Sequence, residues 1–251
     1  MERIKNNIVE NVMKDGFFIL DKNFRDYAGV NRVFENEISE SELNYFSNSW
    51  NDLRIDKYMS DNGTYRLRRH SVFTAIKFTQ NFIVKPNTPH FQAVNYNTLN
   101  GGFERWYEPV MTSVINGNAF NSILHHALVT FNEIERLKED SSDEWNEWFI
   151  EAHQFRIIAS DDDIGLPTPE GIHKDGVSYV FMKQIKRENI AGGESTIYTN
   201  SKKPIKSRLL LENDIVYIDD TKVMHSVSEI SQHDRITESF RDMLVLTFKK
   251  K

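Results

Sequence analysis

From residue 153 to its end the chain is cut into short apolar runs separated by turn signals, and this pattern limits the fold more than any other feature. The runs lie at 154–159, 177–185, 194–199, 208–211, 214–218, 223–227 and 242–248. Strands this short and this closely spaced predict a sandwich or barrel rather than βαβ units. The part before them reads differently. Ile4, Ile8, Val9 and Val12 have helical spacing, Asp15-Gly16 ends that helix, and residues 17–20 read as a short buried strand. A second helix starts near Ser39, where Ser39 and Glu42 match a capping box, and it carries Leu43, Phe46 and Trp50 along one side. Residues 65–69 and 72–76 form an extended, basic region, and Asn100-Gly101-Gly102 marks a turn. Residues 119–150 are expected to be helical, from the spacing of Phe120, Ile123, Leu124, Leu128, Phe131 and Ile134, with Trp145 and Trp148 on the later part.

The expected fold class is therefore mainly β with flanking helices (α+β). One domain spans 1–251, with helical and strand elements over about 1–150 wrapped on a cupin-like jelly-roll core over about 151–251. A formal charge of −6 removes nucleic acid as a bulk partner, because phosphate binding needs a basic surface. The absence of cysteine removes disulfides, thiolate metal sites and cysteine nucleophiles. No apolar run approaches a membrane span, and the N-terminus has no leader-like apolar core. The expectation is a cytoplasmic protein acting on a small molecule, with a homo-oligomer left open.

The chemistry-bearing residues follow the helical part. His173 and Asp175, in Gly-Ile-His-Lys-Asp-Gly (171–176), are two apart, so on extended backbone they share a face. His225 follows in Val-Met-His-Ser-Val (223–227), and Arg241 opens the terminal apolar run. Two imidazoles and a carboxylate are a donor set for ferrous iron that leaves positions open for a co-substrate and oxygen. The bland alternative is polar turn residues and a satisfied core histidine. The ordered set (pair, third histidine, arginine at a strand start) within one strand-rich segment favours the metal.

Asp219 and Asp220 are candidates for hydrogen bonds that fix a ligand's tautomer. His125 and His126 are adjacent on a helix and point apart. His70, His90 and His233 lack a carboxylate at useful spacing, and His153 reads as structural beside Phe155. Arg241 shares a strand face with residues 243, 245 and 247, where a charge needs an anionic partner. Its bland alternative is a surface ion pair with Asp242 or Glu238.

On these residues the chain resembles the bacterial 2-oxoglutarate/Fe(II)-dependent dioxygenases that include free L-isoleucine and L-leucine hydroxylases. The matching stretches are His-Gln-Phe-Arg (153–156), Glu-Gly-Ile-His-Lys-Asp-Gly (170–176), Asn-Ile-Ala-Gly-Gly-Glu-Ser (189–195), Asp-Asp-Thr-Lys-Val-Met-His (219–225) and Phe-Arg-Asp-Met-Leu-Val-Leu-Thr-Phe (240–248). Tyr-Arg-Leu-Arg-Arg (65–69), Phe-Gln (91–92) and Tyr-Asn-Thr-Leu-Asn-Gly-Gly-Phe-Glu-Arg (96–105) extend it into the first half. The resemblance implies a double-stranded β-helix with His173, Asp175 and His225 as iron ligands, and Arg241 holding the distal carboxylate of 2-oxoglutarate. It implies Fe(II), 2-oxoglutarate and O2 as cofactor and co-substrates. Gln154 and Arg156 would line the site, and Thr196 or Tyr198 would hydrogen-bond the co-substrate.

An aspartate at 175, rather than a small residue, implies hydroxylation and not halogenation. The implied substrate is a free aliphatic L-amino acid. Arg66 and Arg68, on one strand face, or Arg105, after a Gly-Gly turn, would clamp its carboxylate, against the alternative of a solvated basic strand. A buried Asp or Glu would take its amine, and Phe91, Tyr65 and Trp106 would form apolar wall. The competing readings are the same chemistry on a peptide, a carrier-bound residue or another small metabolite, and a non-catalytic jelly roll that binds a metal or sugar.

Overall fold

Alternation along the strands decides what each face of the molecule can hold. In the computed structural model, which describes residues 2–21, 38–138, 144–160 and 163–251, helix α1 (Glu2–Asp15) stops at Gly16. There φ is +83°, and the glycine N–H closes back on Val12 O at 3.1 Å. Strand β1 (Phe17–Leu20) follows. Helix α2 (Glu40–Asn48) opens on the expected capping box, with Ser39 N–H donating to Glu42 Oε2 at 2.8 Å and Glu42 N–H to Ser39 Oγ at 3.3 Å. A 3-10 turn (Ser49–Asp52) places Trp50 just beyond that helix, with no exposure. Strands β2 (Arg54–Ile55), β3 (Arg66–Ile76) and β4 (Ile83–Lys85) and helices α3 (Thr112–Ile115) and α4 (Asn118–Leu137) complete the first half.

The second half is β5 (Glu147–Ala159), β6 (Tyr179–Glu188), β7 (Ile190–Gly192), β8 (Glu194–Thr199), β9 (Pro204–Leu209), β10 (Ile215–Asp219), β11 (Val223–Val227), β12 (Ile230–Gln232) and β13 (Ser239–Lys250). An eight-stranded antiparallel sheet runs β1-β10-β6-β13-β5-β3-β2, with β4 beside β3. A three-stranded sheet, β11-β8-β9, and a two-stranded one, β12-β7, accompany it. The chain is thus mainly β with few helices. Strands from before residue 150 lie in the same large sheet as those after it, so that residue is no seam in the fold. Among the described residues no helix is long and apolar enough to cross a membrane.

The expected helix over 119–150 is shorter than its spacing suggested. It ends at Leu137, residues 139–143 lie outside the described residues, and 147–150 belong to β5. Trp145 and Trp148 fit a helical repeat, but Trp148, Ile150 and Ala152 also alternate. Pairing of β5 with β3 on one edge and β13 on the other decides in favour of the strand.

The large sheet has two different faces. Trp148 and Ile150 of β5, Phe181 of β6 and Phe248 of β13 pack against α1 and α4 in the main core. Phe131 of α4 lies flat on Tyr179, centroids 4.7 Å apart, and edge-on to Phe248 at 4.9 Å. It is fully buried, so its truncation to alanine should cost about 3–5 kcal/mol. On the other face Val180, Met182 and Met243 meet Ile197 of β8 and Val223 of β11. That face, between the large sheet and the small one, holds the site.

Candidate metal centre and its cavity

Strand β11 places His225 opposite the loop that carries His173. The two residues exchange backbone hydrogen bonds, N to O at 3.0 Å in both directions, and their rings lie 4.4 Å apart. Asp175 completes the group, its Oδ1 3.7 Å from His173 Nε2 and its Oδ2 3.7 Å from His225 Nε2. All three donor atoms fall within 4.8 Å of one another. His173 Nδ1 lies 2.8 Å from Gly171 O. A carbonyl can only accept, so Nδ1 carries a proton, and Nε2 is the ring atom turned towards Asp175 that a cation would take.

Asp220 acts on the loop rather than on a ring, accepting the backbone N–H groups of Asp175, Gly176 and Val177 at 3.1, 2.8 and 3.2 Å. Asp219 accepts from Thr221 and Lys138 instead. Neither aspartate sets a ligand's tautomer; the Gly171 carbonyl does. Gly176 must be glycine, because φ is +78° and a Cβ would stand 2.4 Å from the Tyr96 ring.

The electrostatics suit a cation. Burial pushes the Asp175 carboxyl up to about 7, and Asp220 and Glu170 add to the rise. Burial holds the His225 imidazole well below its usual range, so it is neutral. Glu170 Oε1 is 3.5 Å from His173 Nε2, and its Oε2 is buried without a partner. Crowded carboxylates and imidazole lone pairs facing one point are what a divalent ion would relieve. Three donors of this kind match the set that leaves positions open on ferrous iron.

The centre opens on a cavity of about 300 Å³, whose far wall is the inner face of β3, β5 and β13. Arg241 reaches into it, 3% exposed. Neither expected ion pair forms. Asp242 points to the opposite face and holds Arg156 at 2.7 Å through both oxygens. Arg241 keeps a 3.5 Å contact to Ser195 Oγ, and its Nε has no partner among the described residues. Burial, with Arg187 adding, pushes its guanidinium down to about 9.

Four of the expected co-substrate residues face elsewhere. Glu151, His153, Phe155 and Ile157 turn the odd positions of β5 into the cavity, which puts Gln154 and Arg156 on the reverse face. Gln154 bonds Ser49 there, and Arg156 bonds Asp242 and Asn51. On β8, apolar Ile197 claims the inside, so Ser195 shares that side while Thr196 and Tyr198 face out to Ser207 and Ser226. Ser195 was legible by the same alternation.

Arg66 and Arg68 line the cavity, but both are engaged. Arg66 holds Asp56 at 2.8 and 2.7 Å, and Arg68 donates to His153 Nδ1 at 2.6 Å while lying 3.8 Å over the Tyr107 ring. Arg105 lines it too, 1% exposed, and its side-chain Nε and Nη2 have no partner among the described residues. Of the expected apolar wall, Phe91 is present, whereas Tyr65 bonds Asp61 and Trp106 lies exposed.

One group escaped the sequence reading. Glu151 Oε1 accepts from His70 Nε2 at 3.0 Å and His90 Nδ1 at 2.8 Å, and His153 packs beside both rings. The carboxylate that His70 and His90 lacked in sequence comes from another strand. Glu-Ala-His at 151–153 carried the same alternating signal as His-Lys-Asp at 173–175.

A mainly β chain with two imidazoles and a carboxylate converging at one cavity, and a buried guanidinium without an ion-pair partner reaching into it, has the make-up of a mononuclear non-haem iron oxygenase. More narrowly, the chain belongs to the 2OG-Fe dioxygenase family, whose model matches residues 47–247. Its enzymes use Fe(II), 2-oxoglutarate and O2, and this protein is such an oxidoreductase. It is similar to an L-isoleucine-4-hydroxylase of Bacillus thuringiensis, 25% identical over 215 residues, covering 85% of this chain and 83% of that protein. A 3(1)-hydroxy-L-isoleucine 4-dioxygenase of Pantoea ananatis is 26% identical over 165 residues, 64% of each chain. Among solved structures, a bsmA homolog from Methylobium petroleophilum PM1 superposes with a TM-score of 0.81 at 27% identity, over 98% of this chain and 92% of that one.

Proposed function

We propose that this enzyme hydroxylates an unactivated C–H bond of a free aliphatic L-amino acid, working as one catalytic unit built on a double-stranded β-helix. His173, Asp175 and His225 hold the iron, and Arg241 binds the distal carboxylate of 2-oxoglutarate. The observation that carries the assignment is the convergence of those three donors within 4.8 Å at the wall of a cavity into which an unpaired arginine points. The isoleucine chemistry in the names of the two curated relatives supports the substrate class.

Bound iron supplies dioxygen activation coupled to oxidation of 2-oxoglutarate to succinate and CO2. The chain's own residues prepare for it. The Gly171 carbonyl holds the His173 ring with Nε2 inward, and Asp220 fixes the 175–177 backbone. Arg241 matches a carboxylate fork in geometry and charge, and its burial excludes competing water. The side chains of Phe155, Met182 and Val245 keep the reaction space apolar.

The test is succinate release coupled to O2 uptake, screened across the standard L-amino acids with Fe(II) and 2-oxoglutarate. Turnover is expected with branched aliphatic members, and none with His173→Ala, which should also bind no iron. Activity surviving that substitution would remove the assigned site.

A further inference from the structure

Two charged groups in the cavity have requirements the protein does not meet. Arg105 is 1% exposed, and its Nε and Nη2 are buried without a partner among the described residues. An isolated buried guanidinium is costly unless an anion joins it. The neighbouring arginines are engaged: Arg66 holds Asp56, and Arg68, whose Nε lacks a partner among the described residues, bonds His153, lies 3.6 Å from Asp56 and stacks on the Tyr107 ring.

Glu151 shows the complementary condition. Its Oε1 accepts both imidazole bonds, while its Oε2 accepts none among the described residues and the side chain lines the cavity. Burial opposes its ionisation, yet His90 and His70 hold it below the usual carboxylate range, so the free oxygen is anionic. The two groups are neighbours: Arg105 pairs with His90 across an antiparallel bridge, and His90 holds Glu151.

We infer that Arg105 and Glu151 form a socket for a zwitterion, Arg105 binding the α-carboxylate and Glu151 Oε2 the α-ammonium of a free α-amino acid. This rests on the cavity being the active site proposed above, and it decides between substrate classes. A residue inside a peptide offers only amide groups. A carrier-bound residue keeps the amine but not the carboxylate, and a second dicarboxylate would meet Arg105 but oppose Glu151.

The four donors of His70, His90, Glu151 and His153 also lie within 4.8 Å, which would admit a cation. They are committed otherwise. His70 and His90 spend N–H groups on Glu151, and His153 Nδ1 accepts from Arg68, which leaves its proton on Nε2 and a positive charge alongside. The cluster braces the carboxylate.

The experiment takes the standard L-amino acid that the whole enzyme uses best and compares it with its N-acetyl derivative, its amide and its deaminated acid. Formation of the anaerobic Fe(II)/2-oxoglutarate absorption band is followed in parallel. Each altered substrate should lose at least about 30-fold in kcat/KM, the low end for breaking a buried, hydrogen-bonded charge pair. Glu151→Gln should raise KM for the free amino acid and shrink the penalty on the deaminated acid. Arg105→Met should do the same for the amide, and both variants should keep the band. A merely structural role would not move those substrate-specific penalties. With the band intact, equal use of blocked and free substrates, or penalties unchanged in the variants, would overturn the socket alone. No turnover of any amino acid would overturn the socket and the amino-acid substrate together, while leaving the iron and 2-oxoglutarate reading in place. A wild-type enzyme without the band would refute the iron and 2-oxoglutarate reading and the socket with it.

Discussion

Replacing Arg241 by methionine should make the ligand-free protein more stable and shrink the stabilisation that 2-oxoglutarate adds. Burial and the nearby Arg187 push this guanidinium down to about 9. At about 1.4 kcal/mol per pKa unit, the charged form is disfavoured in the fold by an amount on the order of 4–5 kcal/mol. The folded value is the lower one, so the penalty is fully present below about pH 9, which covers ordinary assay conditions.

Methionine keeps much of the aliphatic stem and discards the charge. Replacing whole buried ion pairs by apolar side chains of similar volume is neutral or stabilising by about 1–4 kcal/mol, and removing a charge that has no ion-pair partner should recover an amount of that order. At about 2–4 °C per kcal/mol for a chain of this size, the metal-free variant should melt several degrees higher. The response to co-substrate should be the reverse. At a concentration of about 100 Kd the wild type gains about 2.7 kcal/mol from binding. A variant bound about 100-fold more weakly, within the range for losing a buried charge partner, gains only about 0.4 kcal/mol. Thermal melts with and without 2-oxoglutarate read both effects. A ligand-free variant that melts lower than wild type, or one still shifted by 2-oxoglutarate as wild type is, would refute the reasoning.

Asp220→Ala removes the acceptor of three backbone N–H groups beneath Asp175, and should lower iron affinity by about 10- to 100-fold, as lost supporting contacts around ligands do. Anaerobic Fe(II) titration checks it, and unchanged affinity would count against a positioning role. Burial of His90 should also cost the fold stability in mild acid. Burial holds the His90 imidazole down at about 4, so below about pH 6.5 the unfolded chain takes up a proton that the folded one refuses. The loss for His90 is on the order of 3 kcal/mol, complete near pH 4, and protonation of unfolded Glu151 adds to it below about pH 4.5. Asp175, pushed up to about 7, takes up a proton on folding and works in the opposite direction over the same window. The His90 part is therefore read as the difference between the urea midpoints of wild type and His90→Gln, and identical pH profiles for the two would show that this ring is not buried as described.

Much of the architecture was legible because strands announce themselves locally. The runs at 194–199 and 223–227 match β8 and β11, and Ser39 with Glu42 marked a helix start from four residues of sequence. The His-Lys-Asp pair, His225 and Arg241 stood out because donor type and alternation are properties of short segments. The errors came where a long-range choice intervened. Gln154 and Arg156 sit beside cavity residues in sequence, yet a shift of one position sends a side chain to the other face of the sheet. Thr196 and Tyr198 lost the inner side of β8 to Ile197 in the same way. Residues 147–150 satisfied a helical repeat until β3 and β13 supplied hydrogen-bond partners on both edges.

The amino-acid order alone determined which short segments extend and which residues can ligate or carry charge, since alternation and side-chain chemistry need no distant partner. Only the tertiary structure decided that Asp56 satisfies Arg66 while Arg105 and Arg241 stay unpaired, and that three histidines from separate elements gather near one glutamate. Whether a charge is met or left waiting depends on what the fold brings within a few ångströms, and those neighbours are far apart along the chain.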